Sequence, residues 1–388
     1  MSDYGIENVL ILQGGGSLGA FGCGVFKALA NNNIKIDIVA GTSIGGVNAA
    51  IIAGSKGDHP EKELEQFWLE LAEGDSKLSS SFVDWSSQYP TPVPTSISHA
   101  QSTLSFYRSA FHGNKKVFVP RWRPEHFFSD PQYLTPDKWT YLFDHSPLVN
   151  TLEKYVDFNK LQPNGDPNTR LIITAVNVMT EEPLIFDSSK QQITPKHMLA
   201  TTGYPTYYFK WVEVEKGVYA WDGSLLSNTP LREVIDASPI KDKRIFLVEN
   251  YPKNINKLPE NIQEIQHRAR DIMFSDKTLH NIQMAKAITY YLRFIDELYH
   301  AVENRFDLEN KKDKDKFEKI RAKYKKIAEE HGAEIKTVYY ITRDEPSPSL
   351  YENADFSRNT IKGSIRDGEL KVNEILQNIC WEKWLQEM

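Results

Sequence analysis

The sequence predicts an α/β fold that opens on a parallel βαβ unit and closes in a mainly helical C-terminal extension. Three observations carry this expectation. The first 54 residues read as strand, glycine loop, helix, strand, sharp turn and helix. Apolar runs at 170–178 (RLIITAVNV) and 244–249 (RIFLVE) have the composition of core strands. After Pro259 the pattern changes to long helices.

A chain of 388 residues, 40% hydrophobic and 25% charged, can bury a sizeable core and suits one large domain or a core with an appended subdomain. Aromatic residues, at 12%, are plentiful enough to furnish an apolar pocket as well as a core. A net charge of -6 gives no reason to expect nucleic acid as a partner. Two cysteines, Cys23 and Cys380, cannot form a disulfide framework, which favours a reducing compartment. The N-terminus lacks a basic region followed by an apolar stretch, and no apolar run approaches the roughly 18 residues of a membrane span. The expectation is a soluble, cytoplasmic protein, with peripheral membrane contact left open.

In chain order, 7–12 (ENVLIL) reads as a buried first strand, followed by Gln13 and the loop Gly14-Gly15-Gly16-Ser17-Leu18-Gly19. Leu18, Phe21, Val25 and Leu29 then repeat at helical period until three asparagines, Asn31–Asn33, stop the helix. The β-branched residues Ile36, Ile38 and Val39 form a second strand that runs into Gly41-Thr42-Ser43-Ile44-Gly45 and a small-residue helix. A further amphipathic helix spans 61–73. From 77 to 145 prolines and aromatics break all periodicity, and an insertion packed over the site as a cap and an irregular subdomain are both open readings. Order returns with a helix at 147–156, strands at 170–178 and 183–187, a short helix from Pro195 and a strand at 218–221 (VYAW) that ends in Asp222-Gly223-Ser224. After the strand at 244–249 come a helix with a stripe at Ile282, Ala285, Ile288, Leu292, Ile295 and Val302, a lysine-rich helix at 311–326, a strand at 335–342 and a last helix.

Gly41–Gly45 is a G-x-S-x-G between a strand and a helix, the context of a nucleophile elbow. The flanking glycines suit a turn too tight for neighbouring Cβ atoms, one that holds Ser43 in a strained conformation. A serine hydroxyl needs a base to take its proton, and acyl transfer needs donors for the oxyanion. Gly14, Gly15 and Gly16 can expose backbone N–H groups at the start of a helix. Gly14, Gly16 and Gly19 also fit a dinucleotide loop, with Asp37 at the ribose distance, but that reading leaves Ser43 unexplained. Among downstream histidines, His197, His267, His280, His300 and His331 have no distinctive setting. Asp222 ends a strand in a tight turn beyond the carboxyl edge of the sheet.

Together the Gly14–Gly19 loop, Gly41-Thr42-Ser43-Ile44-Gly45 and Asp222-Gly223-Ser224 resemble the patatin-like phospholipases in order and spacing, over roughly residues 6–250. LATTGYPTYYF (Leu199–Phe209) resembles that family's segment upstream of the aspartate. Residues 335–377 resemble an extension of unknown function on some prokaryotic members. The resemblance implies a mostly parallel central sheet sandwiched by helices. It also implies a Ser–Asp dyad in which Ser43 attacks an ester carbonyl, Asp222 is the general base, and Gly15 and Gly16, with Gly14, donate to the oxyanion. Gly19, Gly41, Gly45, Gly223 and Ser224 complete the motifs. Two positions depart from the pattern: Leu18, where many members carry Arg or Lys, and Ser224, where many carry Gly or Ala.

The expectation is therefore a serine lipid acyl hydrolase acting on phospholipid or lysophospholipid, without metal or organic cofactor. A non-catalytic lipid-binding protein and an acyltransferase on the same fold are the rival readings. The division expected is a hydrolase core at 6–250, including the 77–145 stretch, and a helical extension at 251–388.

Overall fold

The computed structural model describes residues 5–76, 114–123, 127–128, 130–165, 169–275, 278–303, 305, 311–331, 333–345 and 352–378. Strands β1 (Ile6–Leu12), β2 (Ile38–Thr42), β5 (Arg170–Asn177), β6 (Pro183–Asp187), β7 (Val212–Glu215), β8 (Val218–Asp222), β9 (Asp242–Glu249) and β10 (Ile335–Thr342) build one sheet. Its order is β10-β9-β1-β2-β5-β8-β7, with β6 also paired to β5. The first five of that row run parallel, and β6, β7 and β8 pair antiparallel. A separate short pair joins β3 (Val119–Pro120) to β4 (Phe143–Asp144).

Helices cover both faces, so the central strands are apolar throughout rather than alternating. Leu10, Leu12, Val39, Leu171, Ile173, Phe246 and Val248 face a large core. That core is shared with α1 (Gly19–Asn31), α2 (Ile44–Gly54), α3 (Pro60–Ser76), α4 (Pro147–Tyr155) and α5 (Pro195–Thr202). Val9, Ile11, Ile38, Ile172, Ile245 and Leu247 point the other way, onto Leu231 and Val234 of α6 (Leu231–Ala237). Beyond it come α7 (Ile262–Phe274), α8 (Thr278–Glu303), α9 (Lys311–His331) and α10 (Arg358–Asn378). Ile282 of α8 enters the second core, and Ile361, Ile365, Val372 and Leu376 of α10 enter the first. The C-terminal part is thus woven into the body: β10 lies parallel to β9, and Gly24 of α1 meets the Ile365 carbonyl of α10 so closely that a Cβ there would lie 1.8 Å from its oxygen. Among the described residues no helix is long and apolar enough to cross a membrane.

Among the elements unread in the sequence are β7 and α6, both short, and the β3–β4 pair. The direction of β8 is a further difference. It runs antiparallel to β5, so Asp222 is not carried past the carboxyl edge of the sheet but descends to it from outside. Of the 77–145 stretch, residues 77–113, 124–126 and 129 lie outside the described residues.

Candidate active site

Register brings the two key side chains to one level. Thr42, the last residue of β2, is opposite Thr174 of β5, and the next residue of β5, Ala175, is opposite Asp222. Ser43 follows Thr42 directly and so stands across β5 from Asp222. The serine occupies φ 57°, ψ -130°, a region that a residue with a Cβ enters only under constraint. The constraint is the close seating of α2: a Cβ on Gly45 would lie 2.1 Å from the Leu12 carbonyl oxygen. The Ser43 N–H donates to Thr201 Oγ1 at 3.0 Å, and that hydroxyl donates to the Thr174 carbonyl at 2.7 Å.

Asp222 is 1% exposed. Its Oδ1 accepts the Ser224 N–H at 2.8 Å, while Oδ2 is buried and makes no hydrogen bond among the described residues. Burial pushes the carboxyl up to about 6, against the pull of the Ser43 hydroxyl and the Ser224 N–H and hydroxyl, which favour the charged form. The serine hydroxyl is thus near enough to bias the carboxylate without being aligned as a hydrogen bond to it.

The glycine loop between β1 and α1 lies beside Ser43, since a Cβ on Gly14 would be 2.9 Å from the serine Cβ. It is held by side chains far along the chain. Asn228 Oδ1 accepts the Gly14 N–H and the Ser224 hydroxyl, each at 3.0 Å, and its Nδ2 donates to the Phe274 carbonyl. Asn250 Nδ2 donates to the Gln13 and Gly14 carbonyls at 3.0 and 3.1 Å, while Gln13 Oε1 accepts the Asn250 N–H at 2.9 Å. The Gly14 N–H is therefore occupied, whereas the Gly15 and Gly16 N–H groups have no acceptor among the described residues. Leu18 is buried with Tyr251 and Phe274, so the position that many resembling proteins fill with a cation is apolar here.

A mostly apolar cavity of about 490 Å³ is lined by Ser43, Asp222, Gly15 and Gly16 at one part and by aromatic rings elsewhere. Phe118, Phe143 and Phe209 form a mutual cluster with centroids 5.4 to 5.9 Å apart, and Trp122 packs on Phe143. Residues on both sides of the β3–β4 pair thus supply part of the wall.

The histidines singled out in the sequence do not gather here. His197 closes a capping box at the start of α5 and stacks on Phe186. His267 sits in an ion cluster, and His300 lies beside Glu303 on α8. The side chains of His280 and His331 lie outside the described residues. His145, unmarked in the sequence, does line the cavity, but its Nε2 is 2.8 Å from the Leu199 carbonyl and burial holds the imidazole below its ordinary value, hence neutral. Asn228, Asn250 and Thr201 were likewise missed. The one local hint was at Asn250, directly after β9; Thr201 lies inside α5 and Asn228 in the turn beyond β8.

His267, Asp271 and Glu345 bring ligand-type atoms within 4.8 Å of one another. A cation there would compete with Arg270, which pairs with Asp271, and with Arg343, which pairs with Glu345.

Residues 10–235, more than half of the chain, match the family model of the patatin-like phospholipases. No curated protein sequence matches the chain. Among solved structures, VipD from Legionella pneumophila is 13% identical, aligned over 97% of this chain and 67% of its own, with a TM-score of 0.34. The type III effector protein ExoU is 11% identical over 95% of this chain and 54% of its own, with a TM-score of 0.25. In its complex with SpcU from Pseudomonas aeruginosa, the match is 16% identical over 70% and 50%, with a TM-score of 0.27. This chain therefore spans about two thirds of the first and half of the second.

Proposed function

The chain belongs to the patatin-like phospholipase family, and from that membership we propose a lipid acyl hydrolase in which Ser43 is the nucleophile and Asp222 its general base. One observation carries the assignment of roles: a buried, unpartnered carboxylate oxygen of Asp222 beside a serine held in a strained turn. A carboxyl that titrates near 6 is ionised at neutral pH yet basic enough to accept a proton.

Ser43 Oγ attacks the ester carbonyl carbon as its proton passes to Asp222, directly or through one water. The carbonyl oxygen takes up the negative charge, and the free N–H groups of Gly15 and Gly16 are the donors available to it. Gly14, whose N–H is committed to Asn228, shapes the loop. Collapse of the tetrahedral intermediate breaks the C–O bond, and the leaving alcohol takes the proton from Asp222. Water then attacks the acyl–Ser43 ester, again losing its proton to Asp222, and the fatty acid leaves as Ser43 recovers its hydrogen. None of these steps calls on a metal or organic cofactor.

The aromatic cavity supports a fatty acyl chain as the group transferred. The apolar setting of Leu18 means that a lipid phosphate finds no cation on the glycine loop. Phospholipid and lysophospholipid remain the proposed substrates, met at a membrane surface. Two cysteines support the cytoplasm as the location.

The test pairs a fluorophosphonate probe with a panel of lipid esters. Wild-type protein is expected to be labelled at Ser43 and to release fatty acid, and Ser43→Ala is expected to do neither. Asp222→Asn is expected to lower turnover by several orders of magnitude, the scale of triad-member losses. A folded His145→Ala or His197→Ala protein as inactive as Ser43→Ala would overturn the two-residue assignment.

A further inference from the structure

The family match ends at residue 235, yet the glycine loop touches a segment more than a hundred residues beyond it. Ser17 Oγ donates to the Glu352 carbonyl at 2.6 Å. At Gly16, with φ +60°, the Asn353 carbonyl oxygen occupies the space a side chain would need, 2.2 Å from where a Cβ would stand. Asn353 Nδ2 donates to the Tyr207 hydroxyl across the cavity at 2.8 Å, and Asn353, Ala354 and Phe356 line that cavity. The segment thus closes one side of the site and lies directly on the turn that carries the free N–H groups.

Both ends of the segment are fixed. At the far end Asp355 accepts the Ser357 N–H and the Thr360 hydroxyl, each at 2.9 Å, which ties it to the start of α10. Phe356 stacks on the buried Trp68. At the near end the Glu352 carboxylate enters a cluster in which three carboxylates meet two guanidiniums and an imidazole. Arg270 and Arg343 reach Glu352 Oε1 at 2.8 and 3.0 Å, and His267 Nε2 approaches it at 3.3 Å. Arg270 also pairs with Asp271, Arg343 with Glu345, and His267 with both acids. With the imidazole protonated the six charges balance. Burying so many ions is a costly way to gain stability.

We propose that Glu352 is a positioning residue for the oxyanion loop: its carboxylate is locked in the His267–Arg270–Arg343 cluster so that the 352–353 backbone braces Ser17 and Gly16. This rests on the reading of Gly15 and Gly16 as oxyanion donors. Within the loop the Gly15 carbonyl accepts the Leu18 N–H at 3.2 Å and the Gly16 carbonyl accepts the Gly19 N–H, but neither bond holds the N–H groups of Gly15 and Gly16, so their aim depends on what lies against the loop. Glu352 acts through that loop and touches no reacting atom.

The experiment follows Glu352→Gln, Glu352→Asp and Ser17→Ala in the full chain, with two readouts. Hydrogen exchange of the 14–18 segment reports the brace without any turnover. A short-chain aryl ester reports kcat and KM. The expected result for Glu352→Gln is exchange at 14–18 at least about tenfold faster and kcat about tenfold lower, part of what a lost oxyanion donor costs, with KM within about twofold. Glu352→Asp is expected to recover much of both. Ser17→Ala, which removes one hydrogen bond and leaves the cluster intact, is expected to speed exchange at 14–18 while the rest of the protein exchanges as before. Wild-type exchange at 14–18 in folded Glu352→Gln, or in Ser17→Ala where Glu352→Gln does not fold, overturns the brace. Failure of the wild-type protein to label at Ser43 would instead overturn the proposed hydrolase and leave the exchange result standing.

Discussion

Two turns meet at the carboxyl edge of the sheet and are held in opposite ways. The Ser43 turn is kept in shape by its own neighbours: α2 seats on β1 through Gly45 and the backbone has no room to relax. From outside the turn come the Leu12 backbone, on which Gly45 seats, and the Thr201 hydroxyl. The Gly14–Gly16 turn has little of its own. Asn228, Asn250 and the Glu352–Asn353 backbone hold it, from positions 214 to 335 residues away for Gly14 and Ser17. A turn that positions an atom by covalent strain can be written in five residues. One that positions bare N–H groups needs a mould, and the mould must come from elsewhere in the fold.

Substitutions at each turn can break that contrast. The largest effect belongs to Gly45→Ala. Its Cβ would strike the Leu12 backbone, so folded protein should be lost outright, a cost above about 4 kcal/mol measured by denaturant unfolding. If Gly45→Ala folds and turns over normally, the serine turn is not held by close seating.

Asp222, which lies between the turns, comes next. Its carboxyl is at about 6 in the folded chain against 3.8 when free, so the folded state favours the proton. Stability is therefore fullest below about pH 4, declines as pH rises toward 6 and stays lowered above, by up to about 3 kcal/mol at roughly 1.4 kcal/mol per pH unit. Asp222→Asn should raise the thermal midpoint at pH 8 while removing turnover, with the gain fading below pH 4. Wild-type turnover should fall about tenfold per unit below pH 6. A destabilised Asp222→Asn protein at pH 8 would contradict the buried charge.

Asn228→Ala probes the mould. It strips the acceptor from the Gly14 N–H and the Ser224 hydroxyl together. Turnover is expected to fall about a hundredfold, the range for losing one oxyanion donor, for only about 1–3 kcal/mol of stability. The smallest effect is expected from Thr201→Val, which unpairs the Ser43 N–H at about 1–2 kcal/mol and a few-fold in kcat. Were Thr201→Val to cost more turnover than Asn228→Ala, the contrast between the turns would be reversed.

The same contrast explains what could be read in the chain. Continuous apolar runs gave the strands at 7–12, 170–178 and 244–249, and period-3.6 patterns gave most helices, because burial on a sheet leaves a local trace. The Ser43 turn was visible because its constraint is local. The direction of β8 was not, since a five-residue strand reads alike both ways, and neither β7 nor α6 is long enough to show a period. Asn228, Asn250 and Glu352 were invisible for another reason. An asparagine or glutamate carries no mark of what it will hold, and their partners lie at the other end of the chain.

The hydrogen bond from Ser17 to Glu352 spans 335 positions. Read in time instead of space, that span sets an order of birth. A ribosome releases Ser43 early and Asp222 past the middle of its run, and only much later the residues that lie against the glycine turn. Until then the sheet lacks β10 and α1 lacks the cover of α10. The residues that carry the proposed chemistry are thus made before the last support for the glycine turn arrives.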